Sequence, residues 1–174
     1  MAAVPYSYPW SGLIAAFKFQ QEAGWARQLA QLMRSTPWVE PTLEQVDWII
    51  PMPLSSERLR ERGYNQAWEL AKQLVGRSAR HKLRSDLLLR ITDTLPQPGL
   101  PRSARIRNVQ QAFAVNPMLA HQVASRNIAL IDDVMTSGAS LFSAAATLRR
   151  AGAANITGLV LARTDEPESR HNQG

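Results

Sequence analysis

The chain of 174 residues contains no cysteine. Disulfides and cysteine-ligated zinc are therefore excluded, and a reducing, cytoplasmic location is compatible with the composition. No apolar run approaches the roughly 18–20 residues that a membrane-spanning helix needs, so no membrane partner is expected. A basic start followed by an apolar h-region is also lacking, and no signal peptide is expected. The chain has no G-x-x-x-x-G-K-[ST] and no G-x-G-x-x-G, which excludes a P-loop and leaves a dinucleotide fold without its fingerprint. Internal repeats and low-complexity tracts are absent as well. Negative charge is in deficit: Lys+Arg number 20 against 14 Asp+Glu, a net charge of +6. Arginine far outnumbers lysine. Its fork recognises phosphate and carboxylate bidentately, so the charge suits an anionic small ligand, a nucleic acid, or both. Hydrophobic residues make up 45%, which is ample for one α/β domain with a core.

What is present is organised around Ile128–Leu148, IALIDDVMTSGASLFSAAATL. The apolar run Ile128–Ile131 reads as a short buried strand that ends in two carboxylates, Asp132 and Asp133. A small hydroxyl-rich turn follows, Thr136-Ser137-Gly138-Ala139-Ser140, and then a helical pattern begins. A helix N-terminus leaves N–H groups unpaired and carries partial positive charge, so it suits a phosphate. Carboxylates at a strand's carboxyl end can accept hydrogen bonds from ribose hydroxyls, directly or through magnesium. Many parallel strands end in an acid and a turn with no ligand implied. The combination of acid pair, hydroxyl loop and helix start is what points to a site.

Around this stretch the chain alternates strand-like and helical segments. Residues 1–10 read as an extended lead-in. Leu13, Ile14 and Phe17 fall at helical spacing to about Gln20, with Lys18 as a solvated helix residue, and Leu29, Leu32 and Met33 mark a second helix that stops before Pro37. Val46–Ile50 reads as a buried strand stopped by Pro51-x-Pro53, followed by a loop carrying Arg58, Arg60 and Arg62. A helix with Ala67, Leu70, Ala71, Leu74 and Val75 on one face comes next. Leu87–Ile91 and Ala112–Val115 are β-like. Thr92–Asn108, with Arg102, Arg105 and Arg107, is the least regular stretch and has the length of a functional loop. Ile156–Ala162 is a second strongly apolar strand. The expected organisation is a helical, hood-like segment over 1–45, a core over 46–163 and a frayed tail over 164–174. Such alternation predicts an α/β fold, a mainly parallel sheet flanked by helices, with ligands at the carboxyl ends of its strands. That places the loops at 51–56, 92–108 and 132–140 on one edge.

The segment Leu130–Ser140 resembles the phosphoribosyl-pyrophosphate (PRPP) motif of type I phosphoribosyltransferases, with serine at Ser137 and Ser140 where threonine is commoner. Pro51–Gln66, with Arg58, Arg62, Gly63, Tyr64, Asn65 and Gln66, resembles the signature of the ComF/GntX family of phosphoribosyltransferase-like proteins. Gln97, Leu100, Arg105, Asn108 and Phe113 match a further pattern of that family, and Lys18-Phe19 resembles its early L-K-[FY] element. The resemblance covers roughly residues 10–163. It implies a type I phosphoribosyltransferase-like fold and Mg²⁺-dependent transfer from PRPP to an acceptor it does not identify, in proteins associated with competence and DNA uptake. On that reading Asp132 and Asp133 are catalytic, with Arg105. Thr136, Ser137, Gly138, Ala139 and Ser140 bind the 5′-phosphate, and Pro53, Leu54, Ser55, Arg58 and Arg62 bind the pyrophosphate. Magnesium is carried by PRPP, with Asp132 and Asp133 as candidate additional ligands.

Two departures bear on chemistry. Relatives commonly carry a cysteine-rich, zinc-binding segment before the Lys-Phe element, and this sequence shows none. Thr136 stands where 6-oxopurine salvage enzymes place an acid, which argues against hypoxanthine or guanine as acceptor. The absence of cysteine also excludes a glutaminase nucleophile within the chain. A competing reading makes the protein a non-catalytic DNA-uptake module, with PRPP binding vestigial or regulatory. Direct contact with single-stranded DNA through Trp68 and the Arg58–Arg62 run is its weaker form, because scattered tryptophans are more often core than stacking platform. A third reading, Asp132 or Asp133 as phospho-acceptor, has no use for the hydroxyl loop. Oligomerisation is left open.

Overall fold

The computed structural model describes residues 1–19, 23–91 and 112–164. Its centre is a four-stranded sheet in the order β1-β6-β5-β2, formed by β1 (Ala2–Pro5), β2 (Trp48–Pro51), β5 (Asn127–Met135) and β6 (Asn155–Arg163). Every pairing within it is parallel. A separate antiparallel pair joins β3 (Leu88–Arg90) to β4 (Phe113–Val115). The helices are α1 (Trp10–Phe19), α2 (Ala26–Arg34), α3 (Val39–Gln45), α4 (Ser56–Arg62), α5 (Gln66–Leu74) and α6 (Ala139–Arg150). The α/β architecture expected from the sequence, a parallel sheet flanked by helices, is therefore observed. Among the described residues no helix is long and apolar enough to cross a membrane.

Side-chain alternation along the strands divides the core in two. Ala129 and Ile131 of β5, with Leu159 and Leu161 of β6, face one cluster that also holds Ile14, Phe17, Leu29, Met33, Leu70 and Leu74 from α1, α2 and α5. Ile128, Leu130 and Val160 face the other, with Leu141, Ala144 and Leu148 of α6 and Leu88 and Phe113 of the small sheet. Residues 1–45 thus build directly onto the sheet: β1 is its edge strand, and α1 and α2 share the core cluster with α5. The boundary expected at residue 45 does not divide the core.

Three local differences from the sequence reading have physical causes. β5 does not end before the acid pair; it continues to Met135, because β6 keeps pairing alongside it, with Val134 opposite Ala162 and Met135 opposite Arg163. The loop expected to carry Arg58–Arg62 is a helix, α4, with Ser55 as its N-cap and Gly63 in the left-handed region (φ 78°) as its C-cap. It buries no residue, so it has no apolar stripe for periodicity to detect. A helix also follows Pro37: α3 accommodates Pro41 in its first turn, where a missing N–H breaks no intrahelical bond.

Candidate active site

Adjacent strands β2 and β5 pass their chains to opposite faces of the sheet, β2 toward α4 and α5, β5 toward α6. That arrangement opens a crevice beyond their carboxyl ends, the usual ligand position in an open parallel sheet. Pairing of β2 with β5 reaches Pro51 and Ile131, and the Met52 N–H still donates to the Ile131 carbonyl at 2.8 Å. Beyond that point the chains diverge. An open cleft of about 320 Å³ lies there, within the size range of small-molecule sites.

One wall is the end of β5 and the start of α6. Thr136, Ser137, Gly138, Ala139 and Ser140 all line the cleft, with Asp132 and Asp133 as its acidic floor. Gly138 holds φ 74°, a conformation that other residues rarely adopt, and a Cβ there would lie 2.7 Å from the Phe142 ring. Among the described residues no side chain caps α6, and the Ala139 N–H reaches the Ser137 hydroxyl at 3.4 Å. The helix start therefore keeps donors for an anion. It is seated by Leu141, which lies over the bare backbone of Gly158 on β6, where a Cβ would come within 2.5 Å of the leucine.

The acids are tightly placed. The Asp133 N–H donates to Asp132 Oδ1 at 2.9 Å, and the Val134 N–H donates to Asp133 Oδ1 at 2.6 Å. Asp133 Oδ2 lies 3.3 Å from the Lys18 ammonium. Burial first, and then the neighbouring Asp133 carboxylate, push the Asp132 carboxyl up to about 8.

The opposite wall comes from β2, α4 and α5. Arg58 and Arg62, four residues apart on one face of α4, line the cleft with Pro53 and Leu54. Arg60 points elsewhere and donates to the Ser56 carbonyl at 3.3 Å. Ser55 is not among the lining residues; it is 4% exposed, and its hydroxyl accepts the Arg58 N–H at 3.3 Å as the helix cap. Asn65 lines the cleft but is engaged internally. It accepts the Trp68 N–H at 3.2 Å and donates Nδ2 to the Met52 carbonyl at 3.0 Å. Arg62 Nη1 donates to Gln66 Oε1 at 3.0 Å. Because guanidinium only donates, this contact fixes the Gln66 amide with its oxygen toward the arginine. Arg62 Nε, Gln66 Nε2 and Asp133 Oδ2 are buried and make no hydrogen bond among the described residues. Asp133 Oδ2 has the Lys18 ammonium as its charge partner, which leaves Arg62 Nε and Gln66 Nε2 as the donors without an acceptor among the described residues.

Two lining residues were missed as site groups. Lys18, read as a solvated helix residue, reaches into the cleft instead. Its position four after the buried Ile14 placed it on the inward stripe of α1. Arg90 also lines the cleft, with its guanidinium 5.5 Å from the Phe113 ring centre. In a period-two strand it shares a face with buried Leu88, an unusual place for arginine and hence a legible signal. Trp68, considered for base stacking, is half-buried with Lys72 5.9 Å from its ring centre. Gln97, Leu100, Arg102, Arg105, Arg107 and Asn108 lie outside the described residues.

No cluster of three or more His, Cys, Asp or Glu side chains that could hold a metal occurs among the described residues. The donor set still fits magnesium, which commonly takes one or two carboxylates and completes its shell with water and a substrate's phosphates. Asp132 and Asp133 are the carboxylates that would take that role once a substrate's phosphates brought the ion.

Fold and cleft together define an open parallel α/β protein with an acid pair and an anion-ready helix start at a switch point of its sheet. No protein-family model matches the sequence. Competence protein F of Haemophilus influenzae is 34% identical over 161 residues, covering 91% of this chain and 69% of that protein. DNA utilization protein YhgH of Escherichia coli K12 is 31% identical over 167 residues, with 91% and 69% covered. Competence protein ComFC of Bacillus subtilis is 32% identical over 117 residues, covering 67% of this chain and 44% of that protein. A solved structure described as the allosteric regulatory enzyme of purine biosynthesis aligns with a TM-score of 0.48 and 14% identity, over 84% of this chain and 30% of that one. The chain belongs to the competence protein F family, with the YhgH and ComFC proteins.

Proposed function

We propose that this protein binds PRPP with magnesium and transfers its phosphoribosyl group to an acceptor, in the cytoplasm and in connection with DNA uptake, a setting in keeping with the competence and DNA utilization named in its relatives. The observation that supports this best is the pairing of walls: an acid pair and an uncapped, hydroxyl-rich helix start face two arginines across one cleft. Asp132 and Asp133 accept the ribose hydroxyls and balance the positive charge that grows on the sugar as its C1–O bond breaks. Thr136–Ser140 hold the 5′-phosphate at the start of α6. Arg58 and Arg62, with the backbone at Pro53 and Leu54, take the pyrophosphate as it leaves. Magnesium, when bound, neutralises that leaving group. Arg105, outside the described residues, is a further catalytic candidate. Thr136 makes a 6-oxopurine a poor acceptor.

Calorimetry with PRPP and magnesium tests the reading. Binding to wild type is expected, and Asp133→Asn is expected to weaken it at least about tenfold, as loss of a charged hydrogen-bonding partner does. Absence of binding to folded wild type overturns it. If PRPP binds, pyrophosphate release across an acceptor panel tests turnover. The names of the YhgH relatives favour one second reading, a DNA-handling module without catalysis. It requires affinity for single strands that falls steeply with salt, and a flat response counts against it.

A further inference from the structure

Three consecutive residues at the end of α1 contact three segments around the cleft. The Phe17 carbonyl accepts the Tyr64 hydroxyl in the turn between α4 and α5. The Lys18 ammonium lies 3.3 Å from Asp133 Oδ2 on β5. The Arg62 guanidinium of α4 lies 5.3 Å from the centre of the Phe19 ring. The end of α1 is thus fastened on both sides of Lys18, which fixes the backbone from which its ammonium reaches Asp133. The Lys18 and Asp133 side chains are only 15% and 10% exposed, so their attraction is weakly screened. Asp133 Oδ1 is occupied by the Val134 N–H, while Oδ2 makes no hydrogen bond and faces the ammonium alone among the described groups.

The Asp133 carboxylate, beside a second acid in a sheltered floor, is a charge that calls for a counter-ion. A divalent ion held by both would need the space beside Asp133 Oδ2 where the ammonium already stands, and two positive groups there repel. We propose that Lys18 is the internal counter-ion of the acid pair: a positioning residue that holds Asp133 and keeps a divalent cation from lodging on the protein alone, so that the cation enters only as the complex of a phosphorylated ligand. The ligand half of this statement rests on the function proposed above; the statement about the bare protein does not. A phosphorylated ligand brings negative charge that offsets the ammonium, which a bare ion lacks.

The test is Mn²⁺ binding to the full chain without any other ligand, followed by electron paramagnetic resonance. Wild type is expected to show no saturable binding on the acid pair. Lys18→Met and Lys18→Gln, checked for native circular dichroism, are expected to bind Mn²⁺ at least about tenfold more tightly, because a full charge is removed at contact distance. Lys18→Arg restores the charge and is expected to behave as wild type. Adding Asp133→Asn to Lys18→Met is expected to abolish the gain, which locates the ion. Equal Mn²⁺ binding by wild type and Lys18→Met overturns the proposal, as does a folded neutral variant with no gain, or a gain that survives Asp133→Asn. Failure of PRPP to bind wild type would sink the proposed function and leave this result standing.

Discussion

On the β2 side of the cleft, Ser55 caps α4, Asn65 caps α5 and ties it to Met52, Gly63 closes α4, and Gln66 takes the Arg62 guanidinium. On the β5 side, α6 begins with no side-chain cap, Ser137 makes one long contact, and Thr136 and Ser137 stand exposed. Both walls present small polar residues in a loop before a helix. One wall commits them to its own backbone; the other leaves them to solvent. A motif residue can therefore persist for the shape of the site or for its ligand, and the hydrogen-bond partners tell which. Arg58 and Arg62 are the charged residues of the first wall, and both line the cleft from a scaffold that the other residues hold.

The acid wall gives the largest expected effect, through pH. The folded-state value of Asp132 lies near 8, above its ordinary 3.8, so the folded chain holds a proton that the unfolded chain releases between those values. Its contribution to stability is therefore complete in acid and is lost as pH rises toward about 8. A ligand that needs the ionised carboxylate follows the opposite course, tightening as pH rises, by up to about tenfold per unit below the folded value. Calorimetric titrations with magnesium and PRPP from acid to mildly alkaline pH, beside urea melts over the same range, measure both. Asp132→Asn is expected to flatten the two curves. If they rise together in wild type, the acid floor is not the ligand's seat and the contrast between the walls fails.

Breaking the other wall should act on stability first. Asn65→Ala removes a helix cap and the bond to Met52, an expected loss of about 2 kcal/mol in urea denaturation. Asn65→Asp keeps the acceptor for the Trp68 N–H but loses the donor to Met52, and should fall between alanine and wild type. Ligand affinity of the folded fraction should move much less than with Asp133→Asn. A loss of affinity without a loss of stability would make Asn65 a ligand group and erase the distinction.

How much of this was legible in the sequence follows the same divide. The strands around the acid pair, the helix start after it and the parallel sheet were readable because apolar runs and a helical period mark them. α4 was not, since SERLRER has no buried side and its evidence is two end-caps rather than a stripe. The continuation of β5 through Asp132 and Asp133 was hidden for a different reason: a parallel ladder is held by its neighbour's backbone, and β6 could not be consulted from within the local pattern. Lys18 was legible as part of a motif but not as a contact, because its partner is 115 positions away in the chain, on β5. Chemistry types were thus readable residue by residue, whereas the partner that decides each residue's role required the fold.

The smallest effect makes the sharpest comparison, because it uses one substitution on both walls. Ser55 and Ser137 were both expected to touch phosphate groups, and each precedes a helix. Ser55→Ala removes the acceptor for the Arg58 N–H and should cost about 1 kcal/mol of stability, with a modest loss of affinity as α4 frays and Arg58 loosens. Ser137→Ala removes an exposed hydroxyl whose described bond is 3.4 Å long, so urea denaturation should shift by no more than about 0.5 kcal/mol. Its affinity for PRPP with magnesium should nevertheless fall, by roughly the tenfold that one hydrogen bond to a charged group supplies at its lower end. The opposite ranking of the two alanines in melts and in calorimetry is the expected signature. Identical rankings would mean that both serines serve the fold, and that the open start of α6 is not where the phosphate sits.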